Sequence, residues 1–324
     1  MKKIKLTIVG LLILSIYACS KSSSSSSSNA DVYVAGFDNG NLVYWKNGSE
    51  IILGTAAPGY YGNVTGLAVN NGDVYVAGYN GDTAVYWKNG VENYLTSPDS
   101  GNASATAIAI SGSDVYIAGY GQTNNGMYYA GNSVIYWKNG IRYIVETSSN
   151  IINAASIAVS GNDVYMAATI GNDTGAYWKN GNRTTLASHY GFAYGIAVLN
   201  NDVYVAGDYD NNAVYWKNGI QTSLTSDGQS GAYAIKISGS DVYIAGVDNG
   251  NAVYWKNGVE TILGPGQANA IAVYGSDVYV TGSSYGFQSQ SAAYWKNGTI
   301  VSFVTSPAGT LATESGNAIV VVQH

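Results

Sequence analysis

One motif is written seven times along this chain of 324 residues. An Asp-Val-Tyr tripeptide opens each copy, and a Tyr-Trp-Lys-Asn-Gly string follows it. The tripeptides begin at Asp31, Asp73, Asp114, Asp163, Asp202, Asp241 and Asp277, and the tryptophans are Trp45, Trp87, Trp137, Trp178, Trp216, Trp255 and Trp295. The spacing varies from 36 residues (Asp241 to Asp277) to 50 residues (Trp87 to Trp137). Such a period is typical of solenoids, propellers and arrays, and it overrides the two domains that length alone would favour.

Four short strands are predicted in each unit. Val, Ile, Tyr and Trp alternate with small or polar residues in an Ala-x-Ala-Ile-Ala-Val-like run, in DVYVAG, in AVYWK and in a fourth run such as residues 260–263. An Asn-Gly pair follows YWK in all seven units and favours a type I′ hairpin turn. Three residues, such as 111–113, separate the first two strands in each complete unit, which also predicts a tight hairpin.

We therefore expect an all-β fold, a seven-bladed β-propeller of four-stranded blades. The first unit starts at Asp31 without its first strand, and residues 318–321 after the last unit match that missing strand. The C-terminal strand should then complete the first blade and close the ring. The same arrangement puts Ala-rich strands at the centre, where only small side chains are expected to fit.

The amino terminus predicts an exported, lipid-anchored protein. Lys2, Lys3 and Lys5 precede an apolar run over residues 6–17, which is typical of a signal peptide and too short to span a bilayer. The run ends at Cys19 in a sequence that resembles the lipobox of bacterial lipoproteins. We expect residues 1–18 to be a lipoprotein signal peptide and residues 19–30, rich in Ser, to follow lipidated Cys19 as a flexible tether. An ordinary signal peptide cleaved after Ala18 is the alternative.

The repeats themselves carry a resemblance. The DVYVAG and YWKNG units resemble those of bacterial seven-bladed propeller lipoproteins and, more loosely, the extracellular HAF repeats, which pair a W-x-x-G hairpin with a following Leu. The resemblance covers residues 31–324, the predicted propeller domain. It implies an exported binding or scaffold role, and it transfers no site residue. We expect the protein in the bacterial cell envelope, lipid-anchored at the outer membrane, on either its periplasmic or its outer side.

Charge and composition restrict the partners. The chain has 14 Lys plus Arg against 20 Asp plus Glu, so a basic surface for nucleic acid is not expected. Its single Cys excludes an intrachain disulfide framework, and its two His leave little for a metal site. We predict no cofactor and no metal, and the membrane as a partner through the lipid on Cys19.

The joints between strands predict which end of the molecule is functional. The hairpins at one end of each unit, the constant end, hardly vary in length, whereas the joints at the opposite, variable end differ widely and include an insertion at residues 120–134. Functional residues are concentrated in loops on rigid scaffolds. The tether joins at the constant end, so the variable end should point away from the membrane.

Aromatic and acidic residues dominate the variable end, and they suit a neutral glycan or a protein segment. The candidate ligand-binding residues are Tyr60, Tyr61, Tyr79, Tyr120, Tyr128, Tyr129, Tyr190, Tyr209, Asp208, Asp210 and Tyr285. The insertion with Tyr128 and Tyr129 is the first choice for a recognition element. The alternative is that Asp, Asn, Gly and Tyr are simply good turn residues.

Other readings are weaker. The repeated Asp and Lys residues are interpreted as structural, with each Asp accepting backbone N–H groups beside a hairpin. The seven Trp are interpreted as packing between blades. Asp208, Asp210 and Asn212 have the oxygen spacing that begins a Ca²⁺ loop, without its later Gly and Glu. We predict a binding module and no enzyme. The alternatives are a purely structural envelope protein, or a carboxylate-based glycan-active enzyme with a deep pocket.

Overall fold

The computed structural model describes residues 30–55, 62–95, 102–122, 132–148, 152–171, 173–286, 289–302 and 315–323. The described segments are β-strands and turns without a helix, and so none of them holds a helix that could cross a membrane. The expected signal peptide, Cys19, the Ser-rich tether and Tyr60, Tyr61, Tyr128 and Tyr129 lie outside the described residues.

Twenty-seven strands run along the described part of the chain. The strands of the first half are β1 (Ala30–Asp38), β2 (Asn41–Lys46), β3 (Ser49–Thr55), β4 (Gly62–Asn70), β5 (Asp73–Asn80), β6 (Thr83–Lys88), β7 (Val91–Tyr94), β8 (Ala103–Ser111), β9 (Asp114–Gln122), β10 (Asn132–Lys138), β11 (Ile141–Thr147), β12 (Ile152–Ser160), β13 (Asp163–Ile170), β14 (Thr174–Lys179) and β15 (Asn182–Thr185). The remaining strands are β16 (Gly191–Leu199), β17 (Asp202–Tyr209), β18 (Asn212–Lys217), β19 (Ile220–Ser223), β20 (Ser230–Ser238), β21 (Asp241–Asp248), β22 (Asn251–Lys256), β23 (Val259–Tyr274), β24 (Asp277–Gly286), β25 (Ser289–Lys296), β26 (Thr299–Ser302) and β27 (Ser315–Gln323).

These strands form antiparallel four-stranded sheets, as the repeat predicts. Units 2 to 5 are β4–β7, β8–β11, β12–β15 and β16–β19, each in sequential order, and unit 1 has the order β27-β1-β2-β3. Units 6 and 7 share β23 and so form one seven-stranded sheet, β20 to β26. The first half of β23, residues 259–265, pairs with β22, and the second half, residues 266–274, pairs with β24.

The last strand of the described chain pairs with the first. β27 runs antiparallel to β1, with Gln323 opposite Ala30 and Val321 opposite Val32. It therefore occupies the first-strand position of unit 1, the position that the sequence leaves empty before Asp31. The strand is longer than the four residues expected, because the pairing extends to Gln323.

Tight two-residue turns join the strands at the constant end. Each YWK string is followed by Asn and Gly with positive φ, 51° and 80° at Asn257 and Gly258, as a type I′ turn requires. The turn between the first two strands is one residue shorter than expected, because Ser111 still pairs with Asp114. Gly112 supplies its positive φ of 60°.

The tryptophans pack each unit against the unit before it. All seven are at most 2% exposed. Trp87 of unit 2, for example, shares a core cluster with Tyr33 and Leu42 of unit 1. Equivalent clusters contain Trp137, Trp178, Trp216, Trp255, Trp295 and Trp45, and the cluster of Trp45 combines residues of units 7 and 1. The interpretation of the tryptophans as packing residues is confirmed.

The first strands of neighbouring units contact one another, and we call them the inner strands. These inner strands are β27, β4, β8, β12, β16, β20 and residues 266–274 of β23. Each contacts the inner strand of the next unit, and β23 contacts β27. Asn70 Nδ2 of unit 2 donates to Gly112 O of unit 3 at 3.0 Å, so the constant ends of these two units lie together.

Candidate functional site

At the constant end, the repeated Lys and Asp side chains pair with each other within each unit. In unit 6, Lys256 Nζ lies 3.0 Å from Asp241 Oδ2 and 5.2 Å from the ring centroid of Tyr243. Asn257 donates to Asp241 Oδ1 at 2.8 Å and accepts the backbone N–H of Val242 at 2.9 Å. These hydrogen bonds from Asn257 and Lys256 hold the pKa of Asp241 below its usual value.

The same network occurs in all seven described units. The other Lys–Asp pairs are Lys46–Asp31, Lys88–Asp73, Lys138–Asp114, Lys179–Asp163, Lys217–Asp202 and Lys296–Asp277. The structural interpretation of these residues is confirmed, with one correction. The sequence suggested that Asp accepts backbone N–H groups, whereas Asn of the turn does so and Asp accepts from Asn and Lys.

At the variable end, every inner strand carries a β-bulge at the same position. In β16 the pairing with β17 passes from Ala193 to Gly195, so Tyr194 has no opposite residue. The bulged positions are Thr65, Thr106, Ala155, Tyr194, Tyr233, Asn269 and Asn317. Bulges re-aim side chains and are frequent beside functional sites. Six of these seven residues carry polar side chains.

A central cavity of about 260 Å³ lies among the inner strands, and residues of all seven line it. Its wall includes the bulged residues Thr65, Thr106, Tyr194, Tyr233 and Asn269. The expectation that only small side chains fit at the centre is therefore wrong for units 5 and 6. The bulge directs Tyr194 and Tyr233 to this cavity, although Ala and Gly surround them in the sequence.

Tyr194 and Tyr233 form an aromatic group around Asp208. The Tyr194 hydroxyl donates to Asp208 Oδ2 at 3.2 Å. The Tyr194 ring meets the Tyr233 ring edge-on, with centroids 5.5 Å apart, and stacks with the Phe192 ring at 6.2 Å. The candidate Asp208 is thus joined to two residues that sequence reasoning missed. The signal that could have found them is the aromatic residue just before the Gly-Ile or Ala-Ile step of an otherwise small inner strand.

Burial controls the charge of this group. Desolvation raises the pKa of Asp208 to about 6, and the hydrogen bond from Tyr194 only partly offsets it. Desolvation and the nearby Asp208 charge raise the pKa of Tyr194 and of Tyr233, and Tyr285 adds to the rise at Tyr233. Both tyrosines are therefore neutral donors near pH 7, while Asp208 changes its charge between pH 5 and pH 7.

The polar bulged residues of other units tie neighbours together. Thr65 Oγ1 donates to Ala105 O of unit 3 at 2.9 Å. Asn269 Nδ2 donates to Gly316 O at 3.0 Å, and Asn317 Nδ2 donates to Val64 O at 2.8 Å. These side chains brace the wall of the cavity, so Tyr194 and Tyr233 are its better candidates for ligand contact.

Tyr79 and Tyr120 form a second group, in units 2 and 3. Burial raises the pKa of Tyr79, and the neighbouring Tyr120 adds to the rise. Asn63, which accepts from Asn317 at 2.9 Å, is a hydrogen-bond partner of Tyr79. These two candidates lie on strands at the variable end, and each is half-buried.

The remaining described candidates lie at turns and strand ends. Tyr190 and Asp210 have positive φ of 55° and 53°, and Asp210 N donates to Tyr190 O. Tyr190, Tyr209 and Tyr285 are exposed. The side-chain oxygens of Asp208, Asp210 and Asn212 do not converge on one point. Asp208 accepts a hydrogen bond from Tyr194, and Asn212 accepts one from Gly228 N. Within the described ranges, no three His, Cys, Asp or Glu residues are grouped to hold a metal ion.

A second cavity, of about 380 Å³, opens between units 3 and 4, away from the variable end. Its wall includes Tyr136 and Tyr143, whose rings stack with centroids 4.9 Å apart, and the buried Trp178. Two of its polar lining residues, Lys138 and Asn180, already take part in the constant-end network, so it belongs to the structural end of the units.

No family model matches the chain, and no curated protein matches it. An acylaminoacyl peptidase from Pyrococcus horikoshii is similar in structure at 12% identity and a TM-score of 0.49, over 86% of this chain and 51% of that chain.

Two further solved structures are similar at the same level. For the extracellular domain of a one component system from B. thetaiotaomicron the identity is 9% and the TM-score 0.46, over 78% of this chain and 37% of that chain. For a prolyl endopeptidase the identity is 12% and the TM-score 0.48, over 85% of this chain and 50% of that chain. The chain thus spans about half or less of these proteins, and no activity is transferred from them. The molecule is an all-β protein built of antiparallel four-stranded sheets.

Proposed function

We propose that the seven units form a closed seven-bladed β-propeller, anchored in the bacterial cell envelope as a lipoprotein, that binds carbohydrate at the variable end. The observation that carries the binding proposal is the group of Tyr194, Tyr233 and Asp208 beside the central cavity. A protein partner on the same end and a purely structural envelope role are the competing functions.

Contacts between the terminal units support the closed ring. β27 pairs with β1, so the two ends of the described chain share unit 1. Trp45 of unit 1 packs with Tyr279 and Ala292 of unit 7, as each other Trp packs on its preceding unit. A propeller leaves only short sheet edges exposed, which suits a chain with so few charges.

The chemistry of the group suits a sugar. Tyr rings offer an apolar surface to the C–H face of a pyranose and hydroxyls to its oxygens. Asp208 accepts hydrogen bonds from ligand hydroxyls, and the cavity wall adds the side chains of Thr65, Thr106 and Asn269. This combination of apolar rings and convergent polar atoms is typical of a small-ligand site.

The amino-terminal sequence supports the anchor. Cys19 ends the predicted signal, and about ten Ser-rich residues reach roughly 18 Å on average. Ala30 begins β1 opposite Gln323, at the constant end. A lipid on Cys19 would hold the constant end near the membrane and direct the variable end outward. A Cys19→Ala variant should leave the membrane fraction for the soluble fraction, and its retention there would overturn the anchor.

A glycan array tests the binding proposal. The full chain, purified in detergent, should bind one or more glycans, and Tyr233→Ala should weaken that binding at least tenfold. Tyr274→Ala is the matched control, because Tyr274 lies on an inner strand at the opposite end, opposite Asp277. A third variant, with residues 123–131 replaced by Asn-Gly, tests the insertion. A folded chain that binds no glycan would overturn the proposal and favour a protein partner.

A further inference from the structure

Asp208 is a half-buried carboxylate, and none of the ion pairs among the described residues involves it. Its hydrogen-bond partner in the structure is the neutral Tyr194 hydroxyl, at 3.2 Å. The repeat lysines in the described units lie at the constant end, paired with the DVY aspartates. Burying a carboxylate without an opposite charge costs free energy, which is why burial raises the pKa of Asp208 to about 6.

Aromatic residues lie near this carboxylate: Tyr194 donates to it, Phe192 is its partner on the neighbouring strand, and Tyr233 is close enough to feel its charge. Tyr194 meets Tyr233 at an interplanar angle of 72°, and Phe192 stacks on Tyr194 at 6°. The faces of aromatic rings carry partial negative charge and attract cations, most strongly when water is excluded. A carboxylate framed by such rings favours a positively charged ligand group over a neutral one.

The charge of the surrounding surface has the same sign. The described turns and strand ends of the variable end contain no Lys or Arg. The acidic residues there are Asp38, Asp82, Asp173, Asp210, Asp227 and Asp248. A surface of one charge sign raises the local concentration of oppositely charged ligands and increases their association rate.

The central cavity indicates what carries the positive charge. Tyr194 and Tyr233 line it together with Thr and Asn residues, and the hydroxyl of Thr106 has no hydrogen-bond partner among the described protein atoms. A wall of hydroxyls and amides suits a ligand that carries many hydroxyls of its own. An extended aliphatic side chain would leave these groups unsatisfied.

We infer that the site takes an amino sugar, with the ligand's ammonium group between Asp208 and the rings of Tyr194 and Tyr233. This inference rests on the proposed carbohydrate binding and names its ligand class. The ammonium supplies the cation that Asp208 lacks, and the sugar hydroxyls face the polar wall of the central cavity.

A dependence on pH follows from this arrangement. Tyr194 and Tyr233 are the titratable groups that face Asp208 from the packed strands β16 and β20, and both have a pKa raised above the usual value for Tyr. Both stay neutral below pH 8. Affinity for the ammonium should therefore rise as Asp208 ionises near pH 6, and fall again at higher pH, where the sugar's own amine loses its proton. Conversely, the bound ammonium should lower the pKa of Asp208.

The test compares three tetrasaccharides with one β-1,4-linked backbone, which differ only at carbon 2: an ammonium, an N-acetyl group or a hydroxyl. Calorimetry of the full chain at pH 6, where Asp208 is partly ionised and the sugar amine is protonated, should show at least tenfold tighter binding of the glucosamine tetramer. Asp208→Asn should remove that preference. Asp82→Asn, which removes the same charge from an exposed position at the same end, should keep it. At pH 4.5 the preference should vanish in the unmodified chain.

Other outcomes separate the two proposals. Equal binding of the three tetrasaccharides, or a preference that Asp208→Asn leaves intact, overturns the ammonium inference and leaves carbohydrate binding standing. Binding of a lysine-containing peptide without binding of any of the three sugars overturns both. Tighter binding of the N-acetylated tetramer also overturns the inference, because that group carries no charge.

Discussion

The two ends of each unit are formed by the same strands but have different chemistry. In unit 6 both ends have an Asn-Gly turn with positive φ at Asn, 51° at Asn257 and 47° at Asn249. Asn257 at the constant end accepts a hydrogen bond from the backbone N–H of Val242 and donates one to Asp241. All seven units repeat this arrangement. Asn249 at the variable end donates to Asp227 and Asp248, and only unit 1 repeats the second of these bonds among the described residues, from Asn39 to Asp38. Contacts that all seven units repeat are interpreted as structural, and contacts that depart from the repeat are candidates for function.

The carboxylates show the same contrast. Hydrogen bonds from Asn257 and Lys256 lower the pKa of Asp241 at the constant end. Burial without a cation raises the pKa of Asp208 at the variable end. The fold stabilises the first charge and is destabilised by the second. A residue whose charge destabilises the fold is a better candidate for binding than a residue whose charge stabilises it.

The largest effect is expected at the constant-end turn. Asn257→Ala should lower the free energy of unfolding by about 2 to 3 kcal/mol, because Ala is strained at positive φ and the bond to Val242 N is lost. Asn257→Gly relieves the strain and should cost about 1 kcal/mol. Denaturant unfolding of the full chain, followed by Trp fluorescence, measures both.

Asn249 provides the matched control for this prediction. Asn249→Gly keeps the turn geometry and removes no bond to a backbone N–H, so it should change stability by less than about 0.5 kcal/mol. Equal costs at Asn257 and Asn249 would show that the two ends do not differ in the way proposed, and that the turns contribute only through their backbone conformation.

Asp208→Asn should stabilise the protein at neutral pH. The folded-state pKa of Asp208 is raised, so the folded state binds more protons than the unfolded chain, and stability falls as pH rises from about 4 to about 6. Removing this charge should therefore raise stability at pH 7, on the order of 1 kcal/mol because the side chain is only partly buried, and change little at pH 4. Thermal unfolding at the two pH values measures it.

The opposite sign is expected at the constant end. Asp241→Asn should lower stability at pH 7, because the pKa of Asp241 is lowered in the fold and its charge is favourable above the usual range for Asp. This cost should disappear as pH falls through the lowered pKa. If both variants changed stability in the same direction at pH 7, the electrostatic contrast between the two ends would be wrong.

Much of the fold could be predicted because each local signal occurs seven times. The Asn-Gly turns fix the hairpins, the alternation in DVYVAG and AVYWK fixes the strands, and residues 318–321 indicated the strand that pairs with β1. The length of a single turn could not be predicted, because the sequence pattern does not show where strand pairing stops. Ser111 was assigned to a turn but pairs with Asp114.

The candidate site was harder to predict, because one extra residue determines it. Alternation along β16 would direct Tyr194 away from the cavity or bury it among Ala and Gly, whereas the bulge at this position places it on the cavity wall. No turn signal in the sequence marks such a bulge. Asp208 was predicted because it lies at the end of a recognisable strand. Its partner Tyr194 was missed because it lies inside a strand, at a bulge that the sequence does not mark.

The smallest effect is expected for the Lys–Asp pairs, although they are the most repeated charged feature. Lys296 Nζ lies 2.8 Å from Asp277 Oδ2, and the two side chains are 39% and 24% exposed. Exposed pairs contribute little because solvent screens them and ordering two side chains costs entropy. A double-mutant cycle of Lys296→Gln and Asp277→Asn should give a coupling of about 0.5 kcal/mol at low salt, and less in 1 M salt, where the Debye length is about 3 Å. A coupling that is several times larger and independent of salt would mean that the ion pair, and not the asparagine of the turn, holds the constant end together.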